Sequence, residues 1–440
     1  MSIGLRRDPG NRPGRRRVCV MGWTLALALA GIVPLQHARA STPPRASAPA
    51  SAGGNEAVLD EVWRTVRDHF YDPRLGGLDW AAVRARYAPQ AAAAPSEEAL
   101  TSVINAMLAE LHASHTALYT PAEPAYYQLA DIFAGALRHR GLERAFPGGR
   151  ITYPGIGLFT RTDARGRVFV AGVIDDAPAQ RAGLLVGDEI LAVDGAPFRP
   201  VLSFRDKVGS PVVLSIRRSP GGPSLQVSVT PAALQPHEMF LRGLRASARL
   251  IPTGNGLRIG YAHVWSYAGR AYQETLEELV SEGPLKDADA LVIDLREGWG
   301  GAVPEYLDLF NARAPTMQVR GRDGRTELEN VKWRRPAALL VNERSRSGKE
   351  VLAYGFRKYR LGEVVGSRTE GAVLAATAFL MGNGDLLLLA VDDVRVDGER
   401  LEGRGVEPTV PVPFDPSYAA GRDPQRDRAV EVLSSRVSPG

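Results

Sequence analysis

Cysteine is almost absent from this chain of 440 residues, which contains only Cys19. A single thiol forms no intramolecular disulfide and builds no multi-thiolate metal site. Because Cys19 lies in a segment that we expect to be removed, the mature chain should also lack a cysteine nucleophile. Catalytic groups, if present, must therefore be sought among hydroxyls, imidazoles, amines and carboxylates.

Lysine is also scarce, with five in the chain, so most of the positive charge is arginine. The net charge of +5 and the pI near 9.3 would suit a nucleic-acid partner. The arginines are scattered, however, and no basic face alternates with aromatic residues as stacked bases would require. We therefore expect no nucleic-acid partner.

Only one apolar run approaches the length of a membrane span, Val18–Leu35, and it follows an arginine-rich start. It leads to Ala38-Arg39-Ala40, a small-x-small cleavage pattern. Residues 1–40 are thus predicted to be a signal peptide cleaved after Ala40, which implies a periplasmic or secreted protein without a stable membrane span. An uncleaved anchor is the alternative. Arg16-Arg17 leaves the choice between general and twin-arginine export open.

Composition and periodicity divide the rest of the chain into five segments. They are a Ser/Pro/Ala-rich linker (41–55), a helical domain (56–148), a β-rich module (150–234), a core with alternating strands and helices (235–415) and a polar, flexible tail (416–440).

The β-rich module contains Ala177–Leu184 followed by Val186–Gly195, a run of the form "aGL..GD.Il.vdG". This pattern resembles a PDZ domain of bacterial proteases, which implies a β-barrel-like fold. Gly155, Ile156, Gly157 and Leu158 resemble its carboxylate-binding loop, whose backbone N–H groups face an anion beside a strand edge that accepts a peptide. An ordinary turn between strands is the alternative.

Two strand-to-helix turns in the core could carry chemistry. In Val341–Glu350 a buried strand leads to a helix that begins at a serine, where unpaired N–H groups could stabilise an oxyanion. Ser345 or Ser347 could instead simply cap the helix.

In Ile293–Ala302 a glycine-rich turn lets the backbone approach a ligand. A phosphate loop is the rival interpretation, but no Gly-Lys-Ser/Thr follows.

Together these segments resemble the C-terminal-processing (tail-specific) serine peptidase family. The matching runs are "VIDLREGWGGA", "LLVNERSRSGKEVLAYGFRKYRLGEVVGSRTEGA" and "LEGRGVEPTVPV". The resemblance implies a multidomain α+β protein with an α/β, crotonase-like peptidase core. It places the nucleophile at Ser347 and the oxyanion-binding N–H groups at Gly301 and Gly348.

The chain departs from the best-known branch of that family, whose lysine base would stand where Gly371-Ala372-Val373 is found. It resembles the tricorn-like branch, which uses a histidine. That resemblance implies His115 as general base, Ser114 as its supporting hydroxyl and Glu402 as the acceptor that orients the ring. The competitors are two histidines and two glutamates: His112, His263, Glu370 and Glu407. Thr409 replaces the aspartate of the closing "PD".

The sequence therefore predicts an exported serine endopeptidase that needs no metal or other cofactor and acts on polypeptides or their C-terminal tails. The absent lysine keeps a second hypothesis open, a catalytically inactive relative that binds peptides through its PDZ module. A homo-oligomer also stays open, because the N-terminal helices could reach a neighbouring subunit.

Overall fold

The structure, a computed structural model, describes residues 52–329 and 332–437. The predicted signal peptide, residues 1–40, lies outside these ranges, and so do residues 41–51 of the predicted linker. Among the helices of the described ranges, none combines the length and the apolar character needed to cross a membrane.

The N-terminal part is helical because apolar residues recur at helical spacing behind polar caps. Asp79 and Ser96 each accept a hydrogen bond from the backbone N–H three residues on. The elements are α1 (Ala52–His69), α2 (Trp80–Ala92), α3 (Glu97–Ala109), β1 (Ala117–Tyr119), α4 (Pro124–Ile132), α5 (Ala134–Leu137) and α6 (Leu142–Ala145), with 3-10 turns at Leu75–Gly77 and Pro147–Gly149.

The predicted linker extends too far. Helix α1 already begins at Ala52, and the buried Asn55 donates from its amide to Ala91 O and Ala94 O, both at 3.1 Å. Residues 52–55 look like linker because they are small and polar, but tertiary hydrogen bonds to the end of α2 order them.

The β-rich module forms a five-stranded antiparallel sheet and a two-stranded pair, β2 with β8. In the sheet the order is β3-β4-β5-β6-β7, so β3 is an edge strand next to the candidate carboxylate loop. The elements are β2 (Tyr153–Gly155), β3 (Leu158–Thr162), β4 (Val168–Val173), α7 (Pro178–Arg181), β5 (Glu189–Val193), β6 (Val212–Arg217), β7 (Leu225–Val229) and β8 (Ala232–Leu234), with a 3-10 turn at Leu202–Phe204.

The core is a six-stranded sheet of order β18-β15-β14-β11-β10-β9, parallel except for β9. Strand-helix alternation produces this layout because parallel strands need crossovers. Its first half comprises α8 (Pro236–Ser247), β9 (Arg249–Pro252), β10 (Arg258–His263), α9 (Arg270–Ser281), β11 (Ala290–Asp294), a 3-10 helix (Pro304–Phe310), β12 (Met317–Arg320) and β13 (Thr326–Glu329). Its second half comprises β14 (Ala337–Val341), α10 (Gly348–Lys358), β15 (Glu363–Gly366), β16 (Ala375–Leu380), β17 (Leu386–Asp392), β18 (Val410–Pro411) and α11 (Pro424–Arg436).

Both faces of this sheet are covered, which explains the continuous apolar runs of its strands. Alternate side chains of β11 belong to different cores: Leu291 packs in the cluster that contains α9 and α10, whereas Val292 packs in the cluster that contains α11. After the glycine-rich turn, Pro304–Phe310 forms a 3-10 helix.

The prediction of a flexible tail over 416–440 is wrong for most of its described residues. Helix α11 occupies Pro424–Arg436, and Ala429 and Leu433 are fully buried against the sheet. The sequence of this segment suggests a flexible tail because few apolar residues share one face of the helix. That these residues are buried can be recognised only once the sheet face that they cover is known.

The helical part is not an independent domain. Strand β1 pairs antiparallel with β17, with Leu118 opposite Leu387, in a sheet that also contains β16. Leu387 and Leu389 complete the apolar core of α1–α3. This pairing holds the loop before β1, which carries Ser114 and His115, against the peptidase core.

Candidate active site

Ser347 lies at the turn between β14 and α10 with a positive φ of 57° and a ψ of −132°, a rare combination for a non-glycine residue. Such a conformation costs a non-glycine residue about 1–3 kcal/mol and persists where surrounding structure enforces it. Its N–H donates to Ala372 O at 2.7 Å, and its side chain makes no capping hydrogen bond. A serine on a strained strand-to-helix turn is the arrangement that exposes a nucleophile, so the helix-cap interpretation fails for Ser347.

Ser345 has a different environment. It is fully buried, its hydroxyl donates to Leu295 O at 2.9 Å, and it accepts from the N–H of Asn342 at 3.1 Å. Ser345 therefore stabilises the turn, whereas the half-buried Ser347 borders a cavity of about 370 Å³.

The glycine-rich turn after β11 contacts the serine turn without room for side chains. A Cβ on Gly300 would lie 2.5 Å from Ser347 Cβ, and one on Gly348 would lie 2.3 Å from the backbone of Ala302. Gly301 has φ 98°. Among the described residues, neither the Gly301 nor the Gly348 N–H donates a hydrogen bond, so both remain available to a ligand.

Ser114, His115 and Glu402 lie together, although 288 positions separate Ser114 from Glu402. Ser114 Oγ is 2.9 Å from His115 Nδ1 and 2.9 Å from Glu402 Oε2, and the Ser114 N–H donates to Glu402 Oε1 at 2.9 Å. A hydroxyl has one proton, and the carboxylate can only accept it. Ser114 must therefore accept from Nδ1–H, which leaves Nε2 of His115 with a free lone pair.

Glu402 is fixed by further donors. The Val373 and Leu374 N–H groups donate to Oε2 at 2.7 Å and 3.2 Å. The neighbouring residue Ala372 accepts from the Ser347 N–H, so one short backbone segment contacts both the serine turn and the carboxylate. Within the described residues, neither Nε2 of His115 nor the hydroxyl of Ser347 makes a hydrogen bond.

Two charges act on His115 in opposite directions. Burial and the guanidinium of Arg346 lower the pKa of His115 to about 4, and the Glu402 carboxylate opposes that shift. The imidazole is therefore neutral at pH 7 and can accept a proton.

Three of the four competing residues have other partners. His112 is exposed, and His263 is stacked on Trp265 with Nε2 3.0 Å from Arg296 O. Glu370 and Glu407 pair with Arg346 and Arg368, respectively.

Lys349, two positions after Ser347, points away from the serine. It is fully buried, and Nζ donates to Glu297 O at 2.6 Å. It therefore contacts the glycine-rich turn and is not in place to act as a base for Ser347.

Sequence reasoning missed Glu350. This buried carboxylate accepts from the N–H groups of Gly371 and Ala372, both at 2.7 Å, and from Thr369 Oγ1. It thereby positions the Ala372 carbonyl that binds the Ser347 N–H. The signal was visible as Ser-x-x-Glu, which suggests a capping box, but the glutamate binds the distant loop instead.

The candidate PDZ loop borders the same region. Gly155–Leu158 lines a cavity of about 360 Å³ that is also lined by Trp299, Arg344 and Arg346. Gly157 has φ 78°, and a Cβ there would lie 2.3 Å from Ala177 Cβ, so the turn requires glycine. A peptide in this loop would therefore lie beside the serine turn.

Three segments of the chain match models of known protein families or domains. Residues 258–412 match the model of peptidase family S41, residues 55–109 match the tricorn protease C1 domain and residues 169–218 match a PDZ domain. The chain thus combines an S41 peptidase core with a helical N-terminal region and a PDZ domain, as the sequence predicted.

The individual relatives are distant. The chain is 27% identical over 393 residues to the putative tricorn protease homolog 2 of Streptomyces coelicolor, covering 85% of this chain and 32% of that protein. It is 24% identical over 345 residues to the carboxyl-terminal-processing protease of Synechocystis sp., covering 75% and 74%. The crystal structure of the tricorn protease matches with a TM-score of 0.52 at 18% identity, over 88% of this chain and 37% of that one. The chain spans about a third of the tricorn-type relatives, and the structural match supports the fold alone.

Proposed function

We propose that this protein is an exported serine endopeptidase in which Ser347 attacks the substrate carbonyl and His115 takes its proton. The observation that carries the proposal is the hydrogen-bond chain from Glu402 through Ser114 to His115 Nδ1, which leaves Nε2 as the acceptor. Such a chain orients the ring and stabilises the imidazolium that forms.

The reaction follows acyl transfer. Ser347 Oγ forms a bond to the carbonyl carbon while its proton moves to Nε2, and the developing oxyanion accepts from the N–H groups of Gly301 and Gly348. His115 returns the proton to the leaving amine as the peptide bond breaks. Water then hydrolyses the acyl-enzyme with His115 again as base. No lysine is needed in this scheme.

Polypeptides are the proposed substrates, with their C-terminal tails held by the PDZ module. The loop Gly155–Leu158 and the edge of β3 border the cavity beside the serine turn, which supports this role. Export rests on the N-terminal sequence, residues 1–40, and periplasmic or secreted location follows from it.

A fluorophosphonate probe tests the proposal with a matched pair of variants. We expect the wild-type protein and Ser345→Ala to be labelled and Ser347→Ala to remain unlabelled, with turnover of Ser347→Ala lower by about a millionfold. Ser345→Ala should lose stability because the Asn342 N–H loses a buried partner.

The opposite results are equally clear. Labelling of Ser347→Ala at the wild-type rate would remove the nucleophile assignment. Absence of labelling in the folded wild-type protein, together with retained affinity for peptides, would leave a peptide-binding scaffold as the function.

A further inference from the structure

Arg346 stands immediately before the candidate nucleophile and lines the cavity between the PDZ loop and the serine turn. Its side chain is 22% exposed, and its guanidinium carbon lies 5.4 Å from the ring centroid of Trp299. The cavity thus contains a permanent positive charge on an aromatic face, next to the reacting bond.

The guanidinium is held by charge and leaves its donors unused. Nε is buried and lies 3.0 Å from Glu370 Oε2 without the geometry of a hydrogen bond. The two Nη atoms donate to no described residue, so they are the donors that a ligand could reach. By contrast, the structural Arg296 donates from Nε and both Nη atoms, to Asp294, Asp423 and Gln425. Arg346 therefore lacks the bonding pattern of an arginine that serves only the fold.

A planar fork of free N–H donors fits a carboxylate, which can bind it through two parallel hydrogen bonds. Arg344 lines the same cavity, with Nε 3.8 Å from the buried carboxylate of Glu297. Glu297 and Glu123 are also in the lining, so Arg344 adds a second guanidinium that is already paired. The cavity on the other side of the turn, where Ser347 lies, is mainly apolar, with Val303, Leu307 and Val373 in its wall.

We infer that Arg346 binds a substrate carboxylate beside the cleaved bond, so that this peptidase selects peptides with an apolar residue on one side of that bond and a carboxylate on the other. The inference rests on the proposed function. The carboxylate is either the free C-terminus or an Asp or Glu side chain.

A substrate carboxylate bound to Arg346 would also affect His115, the proposed base. The charge of Arg346 opposes formation of the His115 imidazolium. A substrate carboxylate on Arg346 offsets that charge as the proton leaves Ser347. The preference should therefore appear in kcat as well as in KM, which a merely structural arginine would not produce.

The test uses one peptide whose cleavage site has been located by mass spectrometry. It is remade with Asp, Asn or Lys at each of the two positions after the cleaved bond, and with a free or amidated C-terminus. For the wild-type protein we expect kcat/KM to favour the carboxylate by about 10- to 100-fold. A preference for Asp over Asn in the peptide series would identify a side-chain carboxylate as the ligand of Arg346, and a loss of cleavage on amidation would identify the C-terminal carboxylate.

Arg346→Gln should reduce this preference to less than about twofold, and Arg346→Glu should reverse it toward Lys. Arg357→Gln is the control and should keep the wild-type preference, because this α10 guanidinium donates to Glu407 O and to no other described residue. Equal ratios in the wild-type protein and Arg346→Gln would overturn the inference.

Binding separates this inference from the proposed function. In the Ser347→Ala background, fluorescence anisotropy should show tighter binding of the carboxylate peptides by about tenfold, lost on adding Arg346→Gln. If the variants show this binding preference but the wild-type protein cleaves no peptide, the Arg346 site is supported and the peptidase mechanism is refuted. Probe labelling and cleavage without discrimination would refute the Arg346 site alone.

Discussion

Lys349 donates from Nζ to the carbonyl oxygen of Glu297 at 2.6 Å, which ties the helix that begins after Ser347 to the turn that carries Gly301. Trp265 O lies 3.4 Å from the same atom. Burial lowers the pKa of Lys349 to about 7, although nearby carboxylates oppose the shift. Burying an amine costs free energy unless the amine is hydrogen-bonded. We therefore interpret Lys349 as a residue that holds the glycine-rich turn in position.

We expect Lys349→Met to lower kcat by about 10- to 100-fold with little change in KM, because the Glu297 carbonyl loses its donor and the oxyanion-binding turn shifts. Steady-state kinetics on a folded variant provides the measurement. Lys358→Met, on the same helix but partly exposed and paired with Asp397, should keep wild-type values. Unchanged kcat in folded Lys349→Met would contradict the positioning role.

We expect the acid limb of kcat/KM to lie well below the usual histidine range. Burial lowers the pKa of His115 to about 4, so the base stays neutral at pH 6 and activity should fall only as the pH approaches 4. A profile measured from pH 4 to 8 tests this, and an acid limb near pH 6.5 would argue against His115 as the base.

The same shift has a consequence for stability. An unfolded histidine titrates near pH 6.5 and the folded one near 4, so the unfolded chain gains a proton first as the pH falls. His115 therefore costs stability progressively from about pH 6.5 to 4. Urea unfolding of His115→Gln should show a smaller loss over this interval than the wild-type protein.

Gly300→Ala should disable the serine turn without unfolding the protein. The added methyl group would lie 2.5 Å from Ser347 Cβ and 2.9 Å from Gly348 N, so the turn must move. Displacement of a nucleophile by about 1 Å costs on the order of 100-fold in rate. The probe-labelling rate measures it. Gly254→Ala, where a Cβ meets open space, is the control; equal rates in both variants would mean that the contact is unimportant.

Leu433→Ala should destabilise the protein by about 2–5 kcal/mol, because Leu433 is fully buried between α11 and the sheet. Denaturant unfolding gives the value, and Glu431→Ala, at an exposed position of the same helix, should change it by less than about 1 kcal/mol. A negligible effect of Leu433→Ala would restore the prediction of a loose C-terminal segment.

The amino-acid sequence by itself determined the local patterns: helices up to α3, the PDZ-like strands, and a strand, turn and helix around Ser347. Each depends on the spacing of apolar residues and on glycine within a few positions, so each is visible without neighbours. Resemblance to a family then suggested His115, Ser114 and Glu402 as partners, and their catalytic roles remain predictions.

Only the tertiary structure decided how distant segments meet. The pairing of β1 with β17 holds the Ser114–His115 loop near Glu402, the buried Glu350 binds the 369–372 loop, and the polar α11 covers a sheet face. The direction of Lys349 and the free donors of Arg346 belong here too. Such contacts depend on which surfaces pack against each other, a property of the whole chain that no local propensity contains.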